Sequence, residues 1–206
     1  MTTGRLIILE GPDGAGKSTT AKALVEMMRA DGMPAQLFAF PGNEPGTLGR
    51  LVHDLHHQPE THGIHSIDPT SLQILHAAAH VDAIRTRIRP AFERGDTVIM
   101  DRFWWSTIVY GRLAGVDNHT LEVLDQLARH HWGFAVPTTA FVLLGPSMQA
   151  SDVQGDGSRL RRAYSDFVGS LNAPFPVHSF EYEQGNTPYA ERILVKIAEL
   201  RRSSSP

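Results

Sequence analysis

The stretch Gly11-Pro12-Asp13-Gly14-Ala15-Gly16-Lys17-Ser18 constrains this chain more than any other. It follows the apolar run Leu6-Ile7-Ile8-Leu9 and leads into Thr19-Thr20-Ala21-Lys22-Ala23-Leu24-Val25-Glu26, a strong helix-forming sequence. A strand that turns through glycines into a helix leaves successive backbone N–H groups pointing into one loop, at the positive end of the helix dipole. Such a loop cradles phosphate. Gly11, Asp13, Gly14, Ala15, Gly16 and Thr19 are expected around the nucleotide, with Lys17 reaching the β- and γ-phosphates and the Ser18 hydroxyl holding a metal. The pairing implies ATP and Mg²⁺, and an empty loop would leave Lys17 facing solvent.

A length of 206 residues suffices for one domain with a full core, expected over residues 1–202, with 203–206 as a frayed tail. With no cysteine, neither disulfides nor thiolate metal sites can form. The formal net charge of −3 gives no general attraction to nucleic acid, although a local basic face stays possible. The expectation is a cytoplasmic enzyme with no membrane segment, because neither a signal-peptide pattern nor a membrane-length apolar run is visible.

Along the chain, a helix over 19–28 stops at Asp31-Gly32-Met33-Pro34, before a strand over 35–40. The Pro- and Gly-rich loop 41–47 follows, at the strand edge that faces the ligand crevice in a parallel sheet. A short amphipathic helix over 48–55 precedes His56, His57, His62 and His65, whose spacing fits no standard ligand pattern and which read as solvated. A long helix starts at Asp68-Pro69-Thr70 and runs to about Arg94. The strand Thr97-Val98-Ile99-Met100 delivers Asp101 to the crevice, well placed for Mg²⁺ or its water shell. Of the adjacent Trp104 and Trp105, one is expected in the core and the other toward the crevice or surface. After a strand over 138–144, the Gly-rich stretch 145–157 with Arg159, Arg161 and Arg162 reads as a lid, around 145–162, whose arginines neutralise charge during phosphoryl transfer.

These residues resemble the thymidylate kinase family. The resemblance rests on Glu10 to Ser18, Glu44-Pro45-Gly46-Thr47, Ile88-Arg89-Pro90-Ala91-Phe92, and Asp101-Arg102-Phe103 with Ser106 and Tyr110. It implies an α/β P-loop NTPase fold of the nucleoside monophosphate kinase type, with a mostly parallel sheet, helices on both faces and a short lid. It also implies a phosphotransferase, a homodimer, an Asp13 contact to the acceptor sugar's 3′-hydroxyl and an Arg102 contact to the acceptor phosphate. Phe40, Trp105, Ser106 and Tyr110 join the acceptor contacts by the same resemblance. The family's arginine before Glu-Pro-Gly is Asn43 here, its thymine-stacking phenylalanine is His76, and its base-contacting arginine is His80.

A neutral amide does not replace a bidentate guanidinium on a dianion. The three altered contacts slightly favour a modified acceptor, such as 5-hydroxymethyluracil in DNA, over free dTMP. A nucleotide-hydrolysing switch is a third reading, less suited to Asp101-Arg102 and a basic lid.

Overall fold

The computed structural model describes residues 4–146, 156–182 and 188–203. Five strands form one sheet: β1 (Arg5–Glu10), β2 (Ala35–Ala39), β3 (Thr97–Asp101), β4 (Thr139–Pro146) and β5 (Val177–Tyr182). Their order is β2-β3-β1-β4-β5, and every pairing is parallel. Parallel strands need crossovers that cover both faces, so the central strands read as continuous apolar runs. The two faces are sorted by alternation. Leu6, Ile8, Val98, Met100 and Val142 pack on one side with the helices over Trp105–Leu113, Asn118–Trp132 and Asp156–Ser170. On the other, Ile7, Leu9, Ile99, Phe141 and Leu143 pack against the helices over Lys17–Ala30 and Tyr189–Ser203.

The helices are α1 (Lys17–Ala30), α2 (Leu48–His57), α3 (Pro69–Ala83), α4 (Arg89–Glu93), α5 (Trp105–Leu113), α6 (Asn118–Trp132), α7 (Asp156–Ser170) and α8 (Tyr189–Ser203). The long helix expected to reach Arg94 is divided: a π-helical turn over Ile84–Ile88 joins α3 to α4. Pro90 sits one residue into α4, and its missing N–H and bulky ring cannot follow a regular α-helical path, which the widened turn accommodates. The expectation for the tryptophan pair also needs correcting. Trp104 is 7% and Trp105 2% exposed, because α5 is enclosed by the core on more than one face. Trp105 stacks against Phe175, and Trp104 donates its indole N–H to Asp125. Most of the stretch expected as a lid, 147–155, lies outside the described residues.

The crevice lies where the carboxyl ends of β1 and β3 meet, the point at which consecutive connections leave in opposite directions along the sheet. One wall depends on a close approach. At Gly49 of α2 a Cβ would stand 2.1 Å from the Pro41 carbonyl oxygen, which is backbone and cannot rotate away. Gly49→Ala is therefore expected to lower stability by about 2 kcal/mol, with α2 displaced from the crevice. Denaturant unfolding checks this, and an unchanged midpoint would contradict the close packing.

Candidate active site

The loop after β1 adopts positive φ at Gly11 (138°), Gly14 (73°) and Gly16 (85°). Gly11 has a second constraint, since a Cβ there would lie 2.0 Å from the Leu143 carbonyl oxygen. Gly16 caps the start of α1, leaving the first N–H groups of that helix turned toward the crevice. Lys17 is 5% exposed and donates from Nζ to the Pro12 carbonyl at 2.6 Å, so it crosses the loop instead of facing solvent as expected. Burial lowers its pKa to about 8, with the Arg102 charge acting in the same direction.

The Ser18 hydroxyl donates to Asp101 Oδ2 at 2.5 Å. A hydroxyl and a carboxylate together at a phosphate loop make a hard oxygen donor set. This suits Mg²⁺, which takes one or two protein oxygens along with substrate phosphates and water.

Arg102 opens the turn after β3 with φ 73°, the only non-glycine positive φ among the described residues. Its N–H donates to the Leu9 carbonyl at 2.8 Å, fixing the turn to β1. Nη2 pairs with Asp13 and lies 3.3 Å from the Tyr110 hydroxyl. The same hydroxyl donates to Asp13 Oδ2 at 2.6 Å. Nη1 donates to the Gly11 carbonyl (3.2 Å), Ser106 Oγ (3.1 Å) and the Tyr164 hydroxyl (3.2 Å). Although burial opposes it, the Tyr164, Glu10, Tyr110 and Asp13 environment keeps Arg102 firmly cationic. Burial likewise raises Asp13, but the Tyr110 hydrogen bond and Arg102 charge outweigh it and hold the carboxyl below its usual range. Tyr110 stays a phenol, raised by its burial and by Asp13.

A cavity of about 570 Å³ joins these groups. Its phosphate-loop side carries Asp13, Gly14, Gly16, Lys17, Ser18 and Thr19, and its other walls include Phe40, His76, Asp101, Arg102, Ser106 and Tyr110. Gly11 and Ala15 lie under the loop as buried supports. Three expected acceptor residues are placed elsewhere. Asn43 is exposed and Trp105 is in the core, and neither lines the cavity. His80 is 3% exposed behind Phe40, edge-on to that ring at 4.5 Å, and its Nε2 accepts the Trp132 indole N–H at 2.8 Å.

The arginines of α7 do not line the cavity either. Arg159 and Arg162 are exposed. Arg161 instead donates from Nη1 to the Leu144 and Gly145 carbonyls, at 3.0 and 2.9 Å, and ties α7 to the end of β4.

The family model for thymidylate kinase matches residues 9–134. A thymidylate kinase from Deinococcus radiodurans is 33% identical over 167 residues, 79% of this chain and 77% of that protein. The chain belongs to the thymidylate kinase family. A thymidylate kinase from Synechococcus sp. (strain CC9605) is 40% identical over 135 residues, and the match spans 61% of each chain. The match with the enzyme of Synechococcus sp. (strain CC9902) also spans 61% of that protein's length. In fold, the crystal structure of thymidylate kinase from Ehrlichia chaffeensis superposes with a TM-score of 0.67 at 22% identity, covering 97% of this chain and 99% of that one.

The cavity carries a histidine wall, two of whose residues, His56 and His57, were expected in solvent. His53, His56 and His57 of α2 line it with His76 of α3. His56 and His57 stack at 4.6 Å, His53 and His57 lie 4.5 Å apart, and His56 Nδ1 shares a hydrogen bond with His76 Nε2 at 3.2 Å. The signal was available, since His53, His56 and His57 recur at three- and four-residue spacing and so share one helix face. Gln73 and Thr107 also line the cavity, and both were missed because nothing in their local sequence separates them from ordinary helix positions.

Burial pushes His80 down to about 3 and His76 to about 4, the latter assisted by the neighbouring His56. Both imidazoles are therefore neutral at pH 7. The unfolded chain takes up protons below about pH 6.5, whereas the folded chain takes none at these sites until much lower pH. Their stabilising contribution is complete above pH 6.5 and is lost as pH falls toward 4 and 3. Each should cost about 2 kcal/mol between pH 6.5 and 5, and His80→Gln, whose amide oxygen can still accept from Trp132, should remove one such increment. Thermal melts across this range test the assignment, and an unaltered pH profile for the variant would refute it.

Proposed function

We propose that this protein transfers the γ-phosphoryl group of ATP to dTMP, forming dTDP. The observation that carries the reading is the placement of Arg102, Asp13 and Tyr110 in the same cavity as Lys17 and the phosphate loop. Phosphoryl transfer asks little covalent chemistry of a protein and much positioning and charge stabilisation. The loop N–H groups and Lys17 bind the donor phosphates, with Nζ exchanging the Pro12 carbonyl for a phosphate oxygen. Ser18 and Asp101 hold Mg²⁺, which when bound neutralises charge on the β- and γ-phosphates.

Arg102 takes the acceptor phosphate through its guanidinium fork, and Asp13 accepts the sugar 3′-hydroxyl, as the family resemblance implies. Tyr110 holds Asp13 in its ionised, accepting form. Phe40 and His76 flank the base, with Gln73 and Thr107 offering polar groups to its edge. His76 therefore presents a neutral ring where relatives stack a phenylalanine.

The relatives favour free dTMP over a modified base in DNA as the acceptor. The relatives reported above carry the name thymidylate kinase, and Trp105, expected among the acceptor contacts, is buried against Phe175. Arg102 and Lys17 are the described cations that line the cavity, while Arg159, Arg161 and Arg162 stand on α7 just after the stretch outside the described residues.

Incubation with ATP, Mg²⁺ and dTMP should yield dTDP, identified by mass. Lys17→Ala should lower turnover by at least about a hundredfold with the thermal melt retained. Because Lys17 loses its charge above about pH 8 when it lacks a phosphate partner, the KM for ATP should also rise through that pH. No dTDP from the unaltered protein would reject the acceptor, and full turnover by Lys17→Ala would reject the mechanism.

A further inference from the structure

We propose that Tyr164, on α7, is a positioning residue that sets the orientation of Arg102 toward the acceptor phosphate. The inference rests on the acceptor reading above. Tyr164 is 1% exposed, and its hydroxyl lies 3.2 Å from Arg102 Nη1 and 2.9 Å from Ser106 Oγ. Ser106 Oγ in turn lies 2.9 and 3.1 Å from the two oxygens of the fully buried Glu10. The direction of this relay follows from valence. A guanidinium can only donate and an ionised carboxylate can only accept. The single Ser106 proton goes to Glu10, the Tyr164 proton goes to Ser106 Oγ, and the Tyr164 oxygen accepts from Arg102.

The two edges of the guanidinium then have different duties. Nη2 faces Asp13 and Tyr110, the groups that meet the acceptor, and its contacts are exchanged when substrate enters. Nη1 faces the Gly11 carbonyl, Ser106 and Tyr164, and these contacts persist. Gly11 and Ser106 belong to the phosphate loop and to the helix after β3. Tyr164 is the contact supplied from a distant part of the chain. It stands one turn beyond Arg161, whose bonds to the Leu144 and Gly145 carbonyls fix this part of α7 to the sheet. A planar fork that binds phosphate through two parallel bonds is sensitive to small rotations, so an anchored acceptor behind Nη1 improves its aim.

Tyr164→Phe keeps the buried ring and removes only the hydroxyl. Ser106 can still donate to Glu10, and Arg102 keeps its other acceptors, so the variant should fold. Loss of one hydrogen bond to a charged group should raise the KM for dTMP by about tenfold while the KM for ATP and the turnover at saturating dTMP stay within about twofold. A readout independent of the acceptor is the nitrogen-edited NMR signal of the Arg102 Nη protons. These should exchange and rotate faster in Tyr164→Phe than in the unaltered protein.

A normal KM for dTMP in the variant, or unchanged Nη signals, overturns the proposal. So does an equal rise of both KM values with a lowered melt, which marks a structural prop only. If the unaltered protein makes no dTDP, the acceptor reading fails by itself, and the Arg102 signals still decide whether Tyr164 positions the guanidinium.

Discussion

The crevice depends on one buried carboxylate. Glu10 ends β1 with no solvent exposure and accepts from four donors: the N–H groups of Gly11, Phe103 and Ser106, and the Ser106 hydroxyl. A buried charge is tolerated only when it is paired and hydrogen-bonded, and removing its partners would leave a cost of several kcal/mol. This requirement binds the start of the phosphate loop to the turn after β3. It thereby fixes the distance between the phosphate loop and Arg102. A loop and a turn some ninety residues apart in sequence become one rigid unit.

The sheet makes that unit possible. Leu9 pairs in register with Asp101 across β1 and β3, so the last residues of both strands reach the crevice at the same level. The order of strands then places Phe40, just past β2, on the far side of β3, where it lines the cavity near His76. The positive φ of Arg102 belongs to the same geometry. Held by its N–H to the Leu9 carbonyl, the residue turns its side chain back over the phosphate loop, and a strained backbone at a functional site is over-determined by its surroundings.

The histidines of α3 show another balance. His76 and His80 stand where the family resemblance puts a phenylalanine and an arginine, and burial keeps both imidazoles uncharged. His80 serves the core through Trp132, while His76 meets His56 across the gap between α2 and α3. Arg102 is therefore the cation beside Asp13 and Tyr110, and His76 and His80 add no charge near it at pH 7. Asn43, where the family resemblance puts an arginine, is exposed to solvent.

Much was legible in the chain alone. The phosphate loop, its helix, the apolar strands and Asp101 at a strand end follow from local rules, since glycine freedom, apolar runs and helix propensity act over a few residues. The parallel sheet followed from the order of those elements, and the family from the resemblance carried by Glu10 to Ser18, Glu44 to Thr47, Ile88 to Phe92 and Asp101 to Phe103. Residues whose roles depend on distant partners were not legible. Tyr164 looks like any core tyrosine of α7 until the fold brings it to Arg102, and Trp105 looked available until α5 was enclosed. Lys17 was expected in solvent, but the loop's own Pro12 carbonyl draws it inside. The histidines of α2 became a cavity wall only because Gly49 lets that helix rest on Pro41. Local sequence sets what each segment can be, whereas burial and partner geometry arise from contacts between segments far apart in the chain, and these decided which side chains face the cavity.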